Sequence, residues 1–394
     1  MHWRYVLVKD AIKGVKDSEI GYLYGESDNL KKTKSVAKRK IAGFDLDQTL
    51  IDTMSGKKFP KDSDDWRWAY DNVKDKLEEY HDKDFEIVIV TNQAGIKSSE
   101  TKMDEFKKKI ENVERDLVSS HPSVSFKLFC AVHKDVHRKP YPTFFKNLNS
   151  ENDIDITNSF FCGDGAGREK DHTGADIKFA YNCAIDFMTP ERLFLGDRNS
   201  VGVIEYPIKP LDPKLFDPKT RFKYSRNDDD KPELILMVGL PASGKSFIAR
   251  QIVQQCEKEG VTTNCVSLDV LKSKPKMLNA IKTSASSSET IIVDNTNLDV
   301  ETRSSLIKLV KGIDDDYFVR VICVDTPYDR CLHNNLYRYY VNYKDDPKLV
   351  PEFVYKMMIK KFVKPTKDES ELIDDVQTVK AGVPVEFEYL FYYF

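Results

Sequence analysis

Short apolar runs alternate with amphipathic stretches along most of the chain. In the first half, residues 41–44, 87–90, 127–132 and 159–162 read as strands. Between them, apolar residues recur at helical spacing near 65–80, 101–118 and 174–184. A second alternation starts at Leu234, with strand 234–238, helix 246–258, strand 263–268, strand 290–294, helix 300–311, strand 318–324 and helix 328–340. Such alternation predicts α/β architecture, with mostly parallel sheets covered by helices. Residues 205–232 break the rhythm with prolines at 207, 210, 213, 218 and 232 and an acidic run at 228–230. The pattern predicts an N-terminal charged segment (1–39), an α/β domain (40–204), a linker (205–232) and a second α/β domain (233–394).

Composition agrees. At roughly 150 residues per domain, a chain of 394 residues holds two or three domains. With 40% apolar and 32% charged residues, it reads as soluble and globular. No apolar run approaches the roughly 20 residues that span a bilayer, and residues 1–9 carry no signal-peptide pattern. An intracellular protein without a membrane partner is expected. Seven cysteines are scattered without a Cys-x-x-Cys pair and read as buried, reduced thiols. A net charge of −3 argues against a globally basic nucleic-acid binder but leaves room for a local basic groove. The basic run 31–40 reads either as a nuclear-localisation signal or as a flexible linker.

Asp45 and Asp47 form D-x-D-x-T after the first strong strand. Open α/β sheets bind ligands beyond the carboxyl ends of their strands. A carboxylate there can attack phosphorus. Residues two apart on an extended segment face the same way, so Asp47 can give and take a proton beside Asp45. The pattern alone arises in roughly one chain in fifteen of this length. More lies downstream. Thr91-Asn92-Gln93 offers a hydroxyl and amides for phosphate oxygens, Lys139 a cation, and Asp164 a third strand-end carboxylate. Asp45, Asp47 and Asp164 suit Mg²⁺, which prefers oxygen ligands. Each feature alone is also what an ordinary turn or helix cap contains; four in this order, each at a strand end, weigh against that.

This order resembles the haloacid dehalogenase (HAD) phosphatase superfamily. More narrowly, FDLDQTL, KKFP, DDWRW, TNQAGI, RKP, GDGAGR, KD and TPE resemble the phosphatase half of polynucleotide 3′-phosphatase/5′-kinases. The resemblance implies a HAD-like Rossmannoid domain with Asp45 as nucleophile and Asp47 as general acid/base. Thr91, with Asn92 beside it, and Lys139 would hold phosphate. Asp164 would complete the Mg²⁺ site with Asp45 and the Leu46 carbonyl. The family usually has glycine at the position of Gln48. The stretches from Thr49 to Thr91 and from Gly95 to Lys139 are too short for core helices plus a large cap. An open site for a macromolecular terminus is therefore expected.

Gly239-Leu240-Pro241-Ala242-Ser243-Gly244-Lys245-Ser246 is G-x-x-x-x-G-K-S between a strand and a helix. Its backbone N–H groups can wrap phosphates, with Lys245 on the β/γ-phosphates and Ser246 on Mg²⁺. Asp269 and Asp294 sit at the next strand ends. Asp269 suits a base for a hydroxyl acceptor, and a helix cap is the alternative. Asp294 suits an orienting carboxylate, and a turn residue is the alternative. Arg330 and Arg338 share a helix face and could cover the phosphates or face solvent.

VGLPASGKS, a strand-end Asp, DNTN and HNN-x-x-R resemble the 5′-kinase half of the same family. This implies a P-loop kinase domain using ATP and Mg²⁺, with Gly239, Ser243, Gly244, Lys245 and Ser246 on the nucleotide. Asp269 would activate the 5′-hydroxyl, and Arg338 would cover the phosphates. Leu268 and Leu336 stand where family arginines are common.

Lys356, Lys360 and Lys364, spaced four apart, predict a basic helical stripe for a phosphodiester backbone or a plain solvated face. Trp66 and Trp68 could stack on a terminal base or pack in the core. The expectation is a nuclear, monomeric DNA end-healing enzyme. Its substrates would be ATP and DNA with 3′-phosphate and 5′-hydroxyl ends. A segment of residues 1–39 is too short for the forkhead-associated domain of mammalian members, so recruitment through that domain is not expected. An RNA-end healing enzyme, a small-metabolite kinase/phosphatase and a non-catalytic adaptor remain as alternatives.

Overall fold

Residues with unbroken apolar runs form strands buried on both faces, as a helix-covered parallel sheet requires. The clearest cases in the first half of the chain are β3 (Lys40–Phe44), β6 (Phe85–Asn92), β7 (Phe126–Ala131) and β8 (Phe160–Cys162); the remaining strands there are β1 (His2–Leu7), β2 (Gly21–Glu26), β4 (Ile51–Asp52), β5 (Arg67–Trp68) and β9 (Asp186–Met188). The computed structural model describes residues 1–7, 21–29, 38–96, 99–133, 135–151, 153–204, 222–287, 289–341 and 349–380. The chain divides into two units near residue 207.

The first unit holds a seven-stranded sheet in the order β1-β2-β7-β6-β3-β8-β9. The pairs from β7 to β9 are parallel; β2 runs antiparallel to both β1 and β7. Helices α1 (Val73–Asp82), α2 (Glu100–Ser120), α3 (Thr143–Leu148), α4 (Ala175–Cys183) and α5 (Pro190–Phe194) join the strands. Ala42 and Phe44 point into one apolar cluster with Phe106, Ile110 and Leu117 of α2. Ile41 points into a second cluster with Phe161 and Phe179.

Two expectations change here. Residues 1–39 are not a tail apart from the domain, because β1 and β2 extend its sheet and Leu23 is buried in its core. Residues 31–37 of the basic run lie outside the described residues, while Arg39 is engaged by Asp153 and Glu86 at 2.7 and 2.8 Å. The helix expected over 65–80 begins only at Val73, because Arg67–Trp68 pairs with Ile51–Asp52.

The second unit is an all-parallel five-stranded sheet. Its strands are β10 (Glu233–Val238), β11 (Thr263–Val266), β12 (Thr290–Val293), β13 (Phe318–Val324) and β14 (Asp375–Val379), in the order β11-β12-β10-β13-β14. Its helices are α6 (Lys245–Lys258), α7 (Leu268–Leu271), α8 (Lys274–Ser286), α9 (Val300–Lys311), α10 (Tyr328–Val341) and α11 (Glu352–Lys361). The end of the expected linker belongs to this unit. Tyr224 and Asn227 are buried and bind the buried Glu233 carboxylate. Residues 205–221 lie outside the described residues. Six cysteines are buried as expected, but Cys265 is exposed because β11 is the sheet edge. Among the described residues no helix is long and apolar enough to cross a membrane.

Candidate active sites

The carboxyl end of β3 delivers Asp45 to the middle of the first sheet. Its N–H donates to the Cys162 carbonyl of β8 at 2.8 Å, which fixes where the side chain emerges. The loop after β7 brings Lys139 to it, with Nζ 2.6 Å from Asp45 Oδ1 and 2.7 Å from Asp176 Oδ1. The buried Thr49 hydroxyl accepts the Asp164 N–H at 3.0 Å. Asp45, Asp164 and Asp176 each offer an oxygen within 4.8 Å of the others.

Burial, opposed by Lys139, raises Asp45 well above the ordinary carboxylate range. Burial and the nearby Asp176 push Asp164 up to about 6. Burial also works against the charge of Lys139, but Asp176 and Asp45 outweigh it and hold the ammonium above its ordinary value. One buried and two half-buried carboxylates share a single ammonium. That oxygen-only, electron-rich donor set fits a hard divalent cation.

The structure places several expected residues differently. Asp47 lies outside the carboxylate cluster; Lys109 Nζ is 3.3 Å from its Oδ1, and Gln93 donates to its Oδ2. Asp176 takes the third place. The Leu46 carbonyl accepts the Leu50 and Ile51 N–H groups in a turn at 2.9 and 3.0 Å, so it is not aimed at the cluster. Asn92 turns away from the phosphate position and staples the Lys139 backbone instead, accepting its N–H at 2.9 Å and donating to its C=O at 3.1 Å. The Thr91 hydroxyl is buried and accepts from Gln93 at 3.0 Å. Trp66 packs edge-on to Trp68 against the core, the commoner use of tryptophan.

Asp176 was not singled out in the sequence. It sits at the start of α4, after the GDGAGR loop, and its Oδ2 accepts the Gly165 N–H at 2.8 Å. A Cβ at Gly163 would run into its carboxylate, so that glycine is needed for the close approach. Arg168 braces the same loop through Asp171 and Glu191, which gives the KD and TPE motifs a structural role.

In the second unit the P-loop turns from β10 into α6. Gly239 has φ +148°, and a Cβ there would meet Ser243 Oγ and the Val324 carbonyl at 2.9 Å. The loop is held from outside. Gly239 N–H donates to Thr296 O at 3.1 Å, Thr326 Oγ1 to Ser243 O at 2.7 Å, and Asn334 Nδ2 to Ala242 O at 2.8 Å. Tyr355 donates its hydroxyl to Pro241 O at 3.1 Å. The bracing roles of Thr326, Asn334 and Tyr355 leave no mark in the sequence, because a loop-bracing hydrogen bond has no fixed spacing.

Lys245 is buried and donates to the Leu240 carbonyl at 2.7 Å. Burial pulls it down to about 8 against the pull of Asp294, with Arg338 and Asp269 also acting on its charge. The charges of these three expected residues therefore all reach one ammonium. Ser246 and Asp269 are exposed. Asn295 Oδ1 accepts the Leu268 N–H at 2.9 Å and so anchors the short helix that carries Asp269. Arg330 is half-buried rather than fully solvated.

The expected lysine stripe is broken. Lys356 pairs with Glu352 at 2.9 Å and Lys360 is exposed on α11, but Lys364 lies beyond the cap residue Phe362 and reaches Asp325 at 3.4 Å. The backbone turns extended there as Val363 N–H binds Leu298 O at 2.9 Å.

Residues 40–194 match the family model for polynucleotide kinase 3 phosphatase, and residues 234–365 match an AAA domain. A bifunctional polynucleotide phosphatase/kinase of Schizosaccharomyces pombe is 32% identical over 86% of this chain and 78% of its own length. A protein of Acanthamoeba polyphaga mimivirus described as a putative bifunctional polynucleotide phosphatase/kinase is 30% identical over 91% of this chain and 88% of its own. A polynucleotide 3′-phosphatase of Saccharomyces cerevisiae is 30% identical over 40% of this chain and 87% of its own. With a HAD-like phosphatase unit followed by a P-loop kinase unit in one chain, this protein belongs to the bifunctional polynucleotide phosphatase/kinase family.

Proposed function

We propose that the chain heals DNA ends: it removes 3′-phosphates through an Asp45 phosphoenzyme and phosphorylates 5′-hydroxyls with ATP, acting as a nuclear monomer. The observation that carries this reading is the Asp45–Lys139 contact at 2.6 Å, a nucleophile and a phosphate-binding cation at one strand end beside two further carboxylates. In the first step an Asp45 oxygen bonds to phosphorus as the P–O bond to the 3′ carbon's oxygen breaks, and Asp47 gives that oxygen its proton. In the second, Asp47 takes a proton from water, whose oxygen bonds to phosphorus and frees Asp45. Lys139 and the Thr91 hydroxyl hold the phosphate oxygens. Asp45, Asp164 and Asp176 would hold Mg²⁺, which would supply charge neutralisation for the dianionic phosphate.

In the second unit the P-loop N–H groups and Lys245 hold ATP, Ser246 suits the nucleotide's Mg²⁺, and Asp294 orients. Asp269 takes the 5′-hydroxyl proton while that oxygen bonds the γ-phosphorus and ADP leaves. Arg338 covers the phosphates. A DNA terminus as substrate is supported by what fills the chain around the first site. Among the described residues, β4, β5 and α1 occupy the stretch from Thr49 to Thr91, and α2 and β7 that from Gly95 to Lys139, with no separate cap.

The test is a gapped duplex with 3′-phosphate and 5′-hydroxyl ends, incubated with ATP and Mg²⁺, beside its RNA counterpart. Asp45→Asn should abolish turnover at the 3′ end alone, and Lys245→Ala at the 5′ end alone. Loss of both activities from either substitution would sink the two-site reading. Faster turnover of RNA ends, or equal turnover of small phosphate esters, would replace DNA as the substrate.

A further inference from the structure

Lys109 has no assigned role, yet its setting is unusual. It lies on α2 in the run Lys107-Lys108-Lys109, where its neighbour Lys108 is exposed. Lys109 itself is only 4% exposed. It shares its helix face with Phe106, Ile110, Val113 and Leu117, all core residues. Burying an ammonium is costly unless a partner takes it up. The partner is Asp47, whose Oδ1 lies 3.3 Å from Nζ. Gln93 Nε2 donates to the other oxygen and, at 3.0 Å, to the Thr91 hydroxyl.

Each Asp47 oxygen therefore has one protein donor. The carboxyl is otherwise 45% exposed, so its remaining lone pairs are left to the open side. A general acid must meet the leaving oxygen within hydrogen-bond reach, and a carboxyl on a loop is held there by what its side chain touches.

We propose that Lys109 is a positioning residue for Asp47, fixing the carboxyl so that its free side meets the leaving oxygen. This rests on the reading of Asp47 as the proton donor above. In that step the Asp45–P bond forms, the ester P–O bond breaks and the Asp47 proton passes to the departing oxygen. A leaving group that departs readily as an anion needs that proton little; an alkoxide needs it greatly. Mispositioning of Asp47 must then appear selectively on poor leaving groups, which a general loss of structure would not produce.

The experiment compares kcat and KM for a 3′-phosphorylated oligonucleotide and for p-nitrophenyl phosphate in the full-length chain. Lys109→Met removes the cation and keeps the apolar stem. Its kcat on the oligonucleotide should fall about tenfold or more with KM little changed, while p-nitrophenyl phosphate falls less than about threefold. Lys109→Gln, one bond shorter and uncharged, should show the same selectivity and serves if the Met variant does not fold. Asp47→Ala is the reference. If Asp47→Ala shows no selectivity, the acid–base reading of Asp47 is wrong. If Asp47→Ala is selective but neither Lys109 variant is, with equal losses on both substrates or none, the inference is overturned.

Discussion

The two units each bury a lysine at the proposed phosphate site, and they treat its charge in opposite ways. Lys139 lies within 2.7 Å of two carboxylates and stays charged despite full burial. Lys245 donates to a loop carbonyl, feels Asp294 only as a field, and is pulled down to about 8. The first site is an ion cluster assembled before substrate arrives. The second is a loop whose cation gains its strongest partner only when phosphates enter. Under the proposed function the contrast has a reason: a nucleophile needs a fixed neighbour, whereas a nucleotide that comes and goes needs a cation that is free to receive it.

Removing each lysine should expose this contrast most strongly. Lys139→Met leaves Asp45 and Asp176 without their cation and should destabilise the first unit by about 3–5 kcal/mol without divalent cation. Lys245→Met removes a poorly compensated buried charge and should leave the nucleotide-free second unit equally stable or about 1–2 kcal/mol more stable. Denaturant unfolding of both variants checks this; the same sign for both would break the comparison. Trp3, Trp66 and Trp68 all lie in the first unit, so indole fluorescence reports that unit alone.

The pH response should also have opposite slopes. Asp164 ionises near its ordinary 3.8 when unfolded and near 6 when folded. Between those values the folded chain binds more protons, so the first unit loses stability as pH rises from about 4 to 6. Lys245 ionises near 10.5 when unfolded and near 8 when folded. There the unfolded chain binds more protons, so the second unit gains stability as pH rises from about 8 to 10.5. Thermal melts followed by indole fluorescence and by far-ultraviolet circular dichroism separate the two. Added Mg²⁺ should raise the first unit's Tm more at pH 7 than at pH 4.5.

A smaller effect tests how the kinase half holds its exposed Asp269. Asn295→Ala removes the acceptor for the Leu268 N–H and should lower kinase kcat about tenfold with the KM for ATP unchanged. A matching rise in that KM would instead mean that Asn295 braces the nucleotide site. The smallest effect is expected at Gln48, which sits at φ +60° with its N–H on Ile51 O at 2.7 Å. The turn forms despite the missing glycine, at a cost in backbone strain. Gln48→Gly should stabilise the first unit by about 0.5–1 kcal/mol, read from the denaturation midpoint.

What could be read in advance was whatever repeats with the period of its element. Strands β3, β6, β7, β10, β12 and β13 were visible because a strand buried on both faces is a continuous apolar run. Asp45, Lys139, Asp164 and Lys245 followed, since each is tied to such a strand or to the loop after it. β1 and β2 were not visible, because an antiparallel edge alternates with polar residues and looks like a charged tail. The strand expected over 263–268 ends at Val266, and Leu268 opens the short helix α7, since a few apolar residues fit either period.

The sequence by itself determined two α/β units, their order, and the strand ends where phosphate chemistry belongs. Local periodicity and loop glycines suffice for that, because they are set by backbone geometry within a few residues. Only the tertiary structure decided which side chains face each other. It put Asp176 in the place expected for Asp47, gave Asp47 to Lys109 and Gln93, turned Asn92 into a staple and dispersed the lysine stripe. Those pairings join residues tens of positions apart. Lys107, Lys108 and Lys109 are identical in sequence, and only packing against the core selects the one whose charge must find a partner.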